Sequence, residues 1–527
     1  MIQDSLQVKV KLWGILVGTL RWDKSAGKAT FAFSEEYLDS PYDISPTLYP
    51  KASKRLLTFY GSKAAEGLPE CLADSLPDDW GNILFDRWTT RHGIPANEFR
   101  TLSKLSFIGK RAMGALEFEP SLDEDNTPAE RIAVDDLYKQ ALLVLEDRLG
   151  ANISAADDLS MAQLIRLGTS VGGKHAKGLI ALSPDKTIRS GQVALPPEYK
   201  YYILKFKEDV DVPTSEVEKI FYDMATDCGI DMMPSTLYPA GGVDHFLTER
   251  FDRLPGGEKL HTQTLRALAP RSNDYTTLFW LCDKLRVPAG RKDRLFRQMV
   301  FNFFSGVSDD HSKNFSFLMD RKGDWDLSPA YDLTFTANIW VDASAYSHCL
   351  GVWGKFSHLT EDDFVAYGED LGLADCRKTV RMVADVISSF PERCRQYGLD
   401  GPWPEKIWKA MQEFLPSPVT AVPGAAAQVD AESVIRDRFA GKDLLITDRI
   451  VLETDGKPSG LMIHFTVGGK KKTCVTDMEA GSVCLSPGHI RPDELERGIW
   501  KTVDGKPAES SATRVLSVKD RNRLGLA

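Results

Sequence analysis

The chain has 527 residues, 43% of them apolar and 27% charged, and a formal net charge of −10. This composition excludes a disordered chain and a broad nucleic-acid-binding surface, while the length suits two or more domains and leaves room for a local basic cleft. No apolar run is long enough to span a membrane, and Met1–Leu20 alternates apolar and charged residues instead of forming a signal peptide. The cysteines, at 71, 228, 282, 349, 376, 394, 474 and 484, include no Cys-x-x-Cys pair, so buried, reduced thiols in a cytoplasmic protein are expected.

In chain order, residues 1–35 read as short strands with turns at Trp13-Gly14 and Lys24–Gly27. DSLPDDWG (Asp74–Gly81) precedes an amphipathic helix over Asn82–His92, with Asp78 or Asp79 as its cap. GKRAMGALEFEP (Gly109–Pro120) is a loop entering a strand, and residues 132–168 are helical in pattern. TSVGGKHAKGLIAL (Thr169–Leu182) passes from a glycine turn into an apolar strand. Tyr201–Lys207 is a second strand, Ser215–Cys228 a helix and Phe246–Asp252 another strand. From Tyr275 to about Phe304 the pattern is helical, with Leu295, Met299 and Phe303 as a core-facing stripe. Phe315–Met319 and Trp325–Leu327 form a hairpin around Asp320–Asp324, and Thr360–Phe414 is again helical with Thr360 as N-cap. LPSPVTAVPGAAAQ (Leu415–Gln428) has linker composition. Asp443–Thr454 and Leu461–Val467, with a turn at Val467–Lys470, read as strands of a small appended α+β or β-rich module. The order predicts an α+β fold with a strand-rich lobe before a helical lobe, an arrangement that suits a cleft enzyme.

The densest chemistry is SDDHSKNFSFLMDRKGDWDLSPAYDL (Ser308–Leu333). Asp309 and Asn314 stand on one loop, a hairpin follows, and Asp332 lies just past its second strand. Phosphoryl transfer needs such a set: one carboxylate to orient the attacking hydroxyl and accept its proton, an amide oxygen and a second carboxylate to hold Mg²⁺ against the phosphates. The Asp-x4-Asn spacing matches the protein-kinase catalytic loop, and Asp332 stands where its metal-binding aspartate follows. Asp310 reads as a solvated loop charge or helix cap, and His311 as a hydrogen-bonded structural histidine in preference to a metal ligand, since no second His sits at ligand spacing. Lys313 either neutralises a phosphate or reaches solvent. A hydrolytic metal centre of Asp309, Asp310 and His311 is disfavoured, because adjacent residues rarely point to one centre. Upstream, Gly172 and Gly173 with Lys174 and Lys177 make a candidate phosphate grip, distinct from the P-loop pattern, or simply a hairpin turn. Lys205 lies inside an apolar strand, where an unpaired ammonium is costly. It is either an edge-strand lysine snorkelling to water or a strand lysine that meets nucleotide phosphates; Glu218 or Glu216 on the next helix could pair with it, with a solvated helix face for at least one of the two.

Together these segments resemble the HipA-like serine/threonine kinases, the toxin halves of bacterial toxin–antitoxin pairs, over about residues 5–410. The motifs run in family order: VGTL (Val17–Leu20), DSLPDDWG, GKRAMGALEF (Gly109–Phe118), SVGGKHAK (Ser170–Lys177), ILKF (Ile203–Phe206), ERFDR (Glu249–Arg253), DDHSKNFSF (Asp309–Phe317) and PAYDL (Pro329–Leu333). The resemblance implies a two-lobed kinase-like fold, with 1–120 an N-terminal subdomain, 121–255 the nucleotide-binding part and 256–414 the helical catalytic lobe; the 415–428 linker and the 429–527 module, of open role, lie outside the family pattern. It implies ATP and Mg²⁺ as cofactors, Asp309 as catalytic aspartate assisted by Lys313, and Asn314 and Asp332 as metal ligands. Ser170, Gly172, Gly173, Lys177, Lys205, His311 and Asn314 would contact the nucleotide, and Asp252 and Arg253 would be structural or cleft-lining. Ser170 falls where the family autophosphorylates, and a phosphate there adds about two negative charges to the loop. Family members phosphorylate translation factors, notably aminoacyl-tRNA synthetases, and are held by a small helix-turn-helix antitoxin, which would make DNA contact only indirect; no membrane partner is implied. The chain departs from the family pattern at Val307, where Asn is frequent, and at Lys174, His175 and Ala176 in the phosphate loop. The altered phosphate loop keeps open a catalytically weak kinase fold serving as binding partner or co-repressor, and a small-molecule kinase stays open because the fold does not fix the acceptor.

Overall fold

Alternation builds the first sheet. In β1 (Gln7–Leu12) Val8, Val10 and Leu12 are buried, whereas Gln7 and Lys9 face solvent. β1 pairs antiparallel with β2 (Ile15–Asp23) on one side and β5 (Leu116–Glu119) on the other, while β3 (Lys28–Phe33) and β4 (Thr58–Tyr60) extend the order to β4-β3-β2-β1-β5. This computed structural model describes residues 7–51, 58–94, 100–122, 131–148, 158–170, 172–337 and 347–416, together with strands further on. The chain divides into two compact units, Met1–Pro416 and Ser417–Ala527.

The second sheet carries the first half of the site. Its order is β7-β6-β8-β10-β9, with β6 (Lys177–Leu182), β7 (Ile188–Ser190), β8 (Lys200–Lys205), β9 (Ser235–Ala240) and β10 (Val243–Glu249), all antiparallel neighbours. Register places Lys205 of β8 opposite Lys177 of β6. Directly paired residues share a face, and like charges there are unfavourable unless counter-charged. The helix Thr214–Asp227 packs on β9 and β10, buries Val217, Phe221 and Met224, and brings Glu218 to that need. A shared core of Trp80, Leu84, Ile180 and Leu204 fastens the helix Asp79–Arg91 to β6 and β8.

The third sheet places the second half. β12 (Ser316–Met319) and β13 (Trp325–Leu327) form the expected hairpin, with Phe317 opposite Leu327 and Met319 opposite Trp325, and β11 (His261–Thr264) pairs with the other side of β12. The helical pattern over 275–304 proves to be two helices, Tyr275–Lys284 and Gly290–Ser305. Arg286 turns to φ 59°, and Val287 precedes Pro288, which cannot donate a backbone hydrogen bond. Leu295, Met299 and Phe303 are buried along the second helix, which ends at left-handed Gly306 and delivers the chain into the 307–315 loop. The 360–414 pattern resolves into Glu361–Asp370, Cys376–Ser388, Phe390–Gln396 and Pro402–Phe414, the first opened by a capping box between Thr360 and Asp363.

In the second unit, β14 (Leu444–Thr454), β15 (Lys457–Val467), β16 (Lys470–Asp477), β17 (Ser482–Pro487) and β18 (Lys501–Thr502) form an antiparallel meander. Val467 pairs with Lys470 where the hairpin turn is expected. The helical part expected of this module and most of the 415–428 linker lie outside the described residues. The architecture is thus mixed, with helices and antiparallel sheets, and no described helix is long and apolar enough to cross a membrane.

Candidate active site

Four charges meet where β6, β8 and the helix Thr214–Asp227 approach the loop after β13. The Lys205 ammonium pairs with both the Glu218 and Asp332 carboxylates. Burial alone would lower the lysine's pKa, but Asp332 and Glu218 outweigh it and hold it above the usual lysine range. Burial pulls the Asp332 carboxyl up, and Lys205 and Lys177 more than reverse this, keeping it ionised and below the ordinary carboxylate range. For Glu218 burial prevails and its pKa is raised. Burial lowers that of Lys177, whose Nζ donates to the Gly172 carbonyl at 2.7 Å. Asp332 itself sits at φ 55°, a left-handed conformation that costs a non-glycine residue about 1–3 kcal/mol and that clusters at functional sites.

The 307–315 loop faces this cluster. Thr336 Oγ1 accepts the backbone N–H of Ser308 and of Asp309 at 2.9 and 3.0 Å, and Asn314 Nδ2 donates to the Asp309 carbonyl at 2.7 Å. The Asp309 carboxylate is left with loose neighbours, His311 Nε2 at 4.0 Å and the Cys349 thiol at 3.9 Å. Tyr331 Oη donates to the Lys313 carbonyl at 2.6 Å, pinning the 307–315 loop to the segment that carries Asp332. His311 adds a small contribution in the same direction to the Asp332 carboxyl.

Several expectations change. Asp310 is neither solvated nor a cap: it is buried, accepting from Tyr275 Oη at 2.7 Å and from the N–H of Cys349 and Leu350 at 2.8 and 3.3 Å, with His348 Nδ1 3.1 Å away. Its carboxylate is therefore spent on the fold, which disposes of the disfavoured Asp309–Asp310–His311 metal centre. Glu216 is not on a solvated face, since it pairs with Lys207 at 2.7 Å. Asp78 occupies the N-cap position of Asp79–Arg91 but makes no side-chain capping bond. It accepts instead from Gly173 N–H at 2.8 Å and pairs with Lys313, which accordingly does not simply reach solvent. Cys349 is exposed, whereas Cys71, Cys228, Cys282, Cys376 and Cys394 are buried, and its partial burial together with Asp310 and Asp309 pushes the thiol up to about 11. Ser170 Oγ accepts from Gln192 Nε2 at 2.9 Å, and among the described residues no hydrogen bond joins it to Asp309, Lys205 or Asp332. Asp252 is fully buried between Arg250 and Arg253 and accepts from Gly114 N–H at 2.7 Å, a structural role.

Mg²⁺ takes hard oxygen donors and, with phosphates present, needs only one or two protein carboxylates. The residues fit that requirement. Asp332 offers an ionised carboxylate, and Asn314, its nitrogen committed to Asp309, offers its side-chain oxygen. Among the described residues no cluster of three or more His, Cys, Asp or Glu forms an all-protein cage.

Comparison with known proteins places this site in context. Models for the HipA N-terminal domain and the HipA-like C-terminal domain match residues 8–119 and 169–394. Two Sinorhizobium fredii proteins named as candidate kinases are similar to the chain. Y4mE is 28% identical over 353 residues, which are 61% of this chain and 76% of that protein. Y4dM is 23% identical over 420 residues, 77% of this chain and 92% of that protein. Among solved structures, HipA of Shewanella oneidensis, from a toxin–antitoxin complex with HipB and operator DNA, superposes with a TM-score of 0.53 at 18% identity. That superposition covers 77% of this chain and 96% of HipA, and it supports the fold alone.

Proposed function

This chain belongs to the HipA-like family, and from that premise we propose that it is an ATP- and Mg²⁺-dependent serine/threonine protein kinase. The observation that carries this reading is the convergence of Lys205, Glu218 and Asp332 beside the loop that bears Asp309 and Asn314. Asp309, with no tight cationic partner, orients the acceptor hydroxyl and takes its proton. Lys205 and Lys177, with the Gly172–Gly173 turn and Lys313, would meet the nucleotide phosphates. His311 would contact the nucleotide. Asn314 and Asp332 hold Mg²⁺, which when bound neutralises charge on the transferred phosphate. Ser170 is the autophosphorylated residue, and it must leave Gln192 to reach Asp309. As protein substrate we propose a translation factor such as an aminoacyl-tRNA synthetase, in a cytoplasmic toxin–antitoxin pair. The likeness to a HipA solved with HipB and operator DNA supports a small antitoxin as partner, with DNA contact passing through it.

Incubating the full chain with labelled ATP and Mg²⁺ tests the reading. Wild type should acquire label, and Asp309→Ala should lose several orders of magnitude in rate. Equal labelling of the two would refute it. One observation favours a second reading, a kinase fold that binds but does not transfer: Lys177, Lys205, Lys313 and Gly173 N–H all have internal partners. Nucleotide-dependent thermal stabilisation without any phosphate transfer, to protein or to a panel of metabolites, would select it. Transfer to a metabolite alone would select a small-molecule kinase.

A further inference from the structure

The DSLPDDWG segment belongs to the N-terminal domain, yet it builds a seat for the glycine loop of the catalytic part. Trp80 N–H donates to the Gly173 carbonyl at 3.3 Å, and Trp80 Nε1 to the Lys177 carbonyl at 3.0 Å. Gly81 lies so close that a Cβ there would stand 2.3 Å from the Thr169 carbonyl oxygen, so only glycine fits. Asp74 accepts from Thr264 N and Oγ1 at 2.7 and 2.8 Å, tying the same segment to the end of β11. At the centre stands Asp78. One of its oxygens takes the Gly173 N–H at 2.8 Å, the other pairs with Lys313, and a Cβ on Gly172 would lie 3.1 Å from it. Gly173 holds φ +97°, the left-handed geometry that aims its N–H this way. Among the described residues, no hydrogen bond joins the glycine loop directly to the 307–315 loop. Asp78 is the bridge between them.

We propose that Asp78 is a positioning residue of the phosphotransfer site, supplied by the N-terminal domain, which fixes the Lys313 ammonium against the Gly172–Gly173 turn so that both address one phosphate. This rests on the kinase reading above. Asp78 acts through Lys313 and the loop and touches no reacting atom. Its charge opposes that of a nucleotide, so its removal should not weaken ATP binding by Coulomb's law. What is lost is alignment.

The test uses the full chain with ATP and Mg²⁺. The rate of Ser170 phosphorylation and, by calorimetry, the Kd of ATP·Mg²⁺ are measured for wild type, Asp78→Asn, Lys313→Met and the double variant. Asp78→Asn should slow transfer about a hundredfold, the cost of an ångström-scale misplacement. Its Kd should stay within about threefold of wild type or tighten. Adding Asp78→Asn to Lys313→Met should cost nothing further, because both remove one coupled unit. Asp78→Glu keeps the charge but moves it by one methylene; it too should slow transfer, which keeps the idea open to refutation if the Asn variant does not fold. A wild-type rate in either Asp78 variant, losses that multiply in the double variant, or a Kd that weakens in step with the rate would each overturn the role. If wild type itself neither binds ATP nor gains phosphate, the kinase reading falls and the positioning role with it. A normal rate in Asp78→Asn beside an active wild type removes only the positioning role.

Discussion

Replacing Lys205 by methionine tests the electrostatic heart of the site. The side chain keeps its length and loses the one ammonium that touches both Glu218 and Asp332. Two carboxylates are then left with Lys177 as the remaining nearby cation, and that lysine also bonds to Gly172. Breaking a buried ion pair costs about 3–5 kcal/mol, whereas an exposed pair is worth at most about 1 kcal/mol. The Glu218 side chain is 12% exposed and that of Asp332 37%, so the Glu218 contact counts nearly in full and the Asp332 contact is discounted. The expected loss is about 3 kcal/mol. Urea unfolding followed by tryptophan fluorescence measures it. A companion variant, Lys205→Met with Glu218→Gln, removes the stranded buried charge and should recover about 1–2 kcal/mol. If Lys205→Met is as stable as wild type, or if adding Glu218→Gln deepens the loss, the cluster is not the coupled set described here.

Asp310→Asn should destabilise by about 2–4 kcal/mol, because an amide cannot serve the Tyr275 hydroxyl and the Cys349 and Leu350 N–H groups together, and a urea midpoint equal to wild type would count against that network. Asp252→Asn strands two buried guanidinium groups and should cost about 3–5 kcal/mol; a thermal midpoint unchanged from wild type would mean that Arg250 and Arg253 find other partners. His261 is fully buried, neither ring nitrogen has a hydrogen-bond partner among the described residues, and burial lowers its pKa to about 3. A depressed pKa contributes stability that is present above the unfolded value, about 6.5, and lost as pH falls through the folded one. His261→Leu should therefore be as stable as wild type near neutral pH and flatten the acid decline between about pH 6 and pH 4, by up to about 1.4 kcal/mol per pH unit. Parallel pH profiles for the two chains would contradict this.

How far the sequence could be read divides by range. The β12–β13 hairpin and the Leu295–Met299–Phe303 stripe are local patterns, and both form where the periodicity places them. The Lys205–Glu218 contact was legible because a lysine inside an apolar strand demands a carboxylate, and the next helix offers two. Asp310 was misread because its acceptors' partners lie at Tyr275 and at 348–350, which no local pattern connects to it. Asp78 looked like a helix cap because Asp before a helix usually is one. The signal that it does something else was the rest of its motif, a Trp-Gly pair whose tight packing on the 169–177 loop only the fold reveals. The break at 285–289 was announced by Pro288 and hidden by apolar periodicity on both sides. The roles of the residues as ligands and catalysts come from chemistry and family resemblance together, and neither alone would assign them.

If the Asp309 loop and the Lys205–Asp332 cluster form one phosphotransfer site, phosphorylation of Ser170 depends on Asp309. The most direct measurement is phosphopeptide mapping of the full chain after incubation with ATP and Mg²⁺, for wild type and Asp309→Asn side by side. Phosphate is expected on Ser170 in wild type and none on the variant over the same time. Phosphate on Ser170 in the variant at the wild-type rate would contradict it.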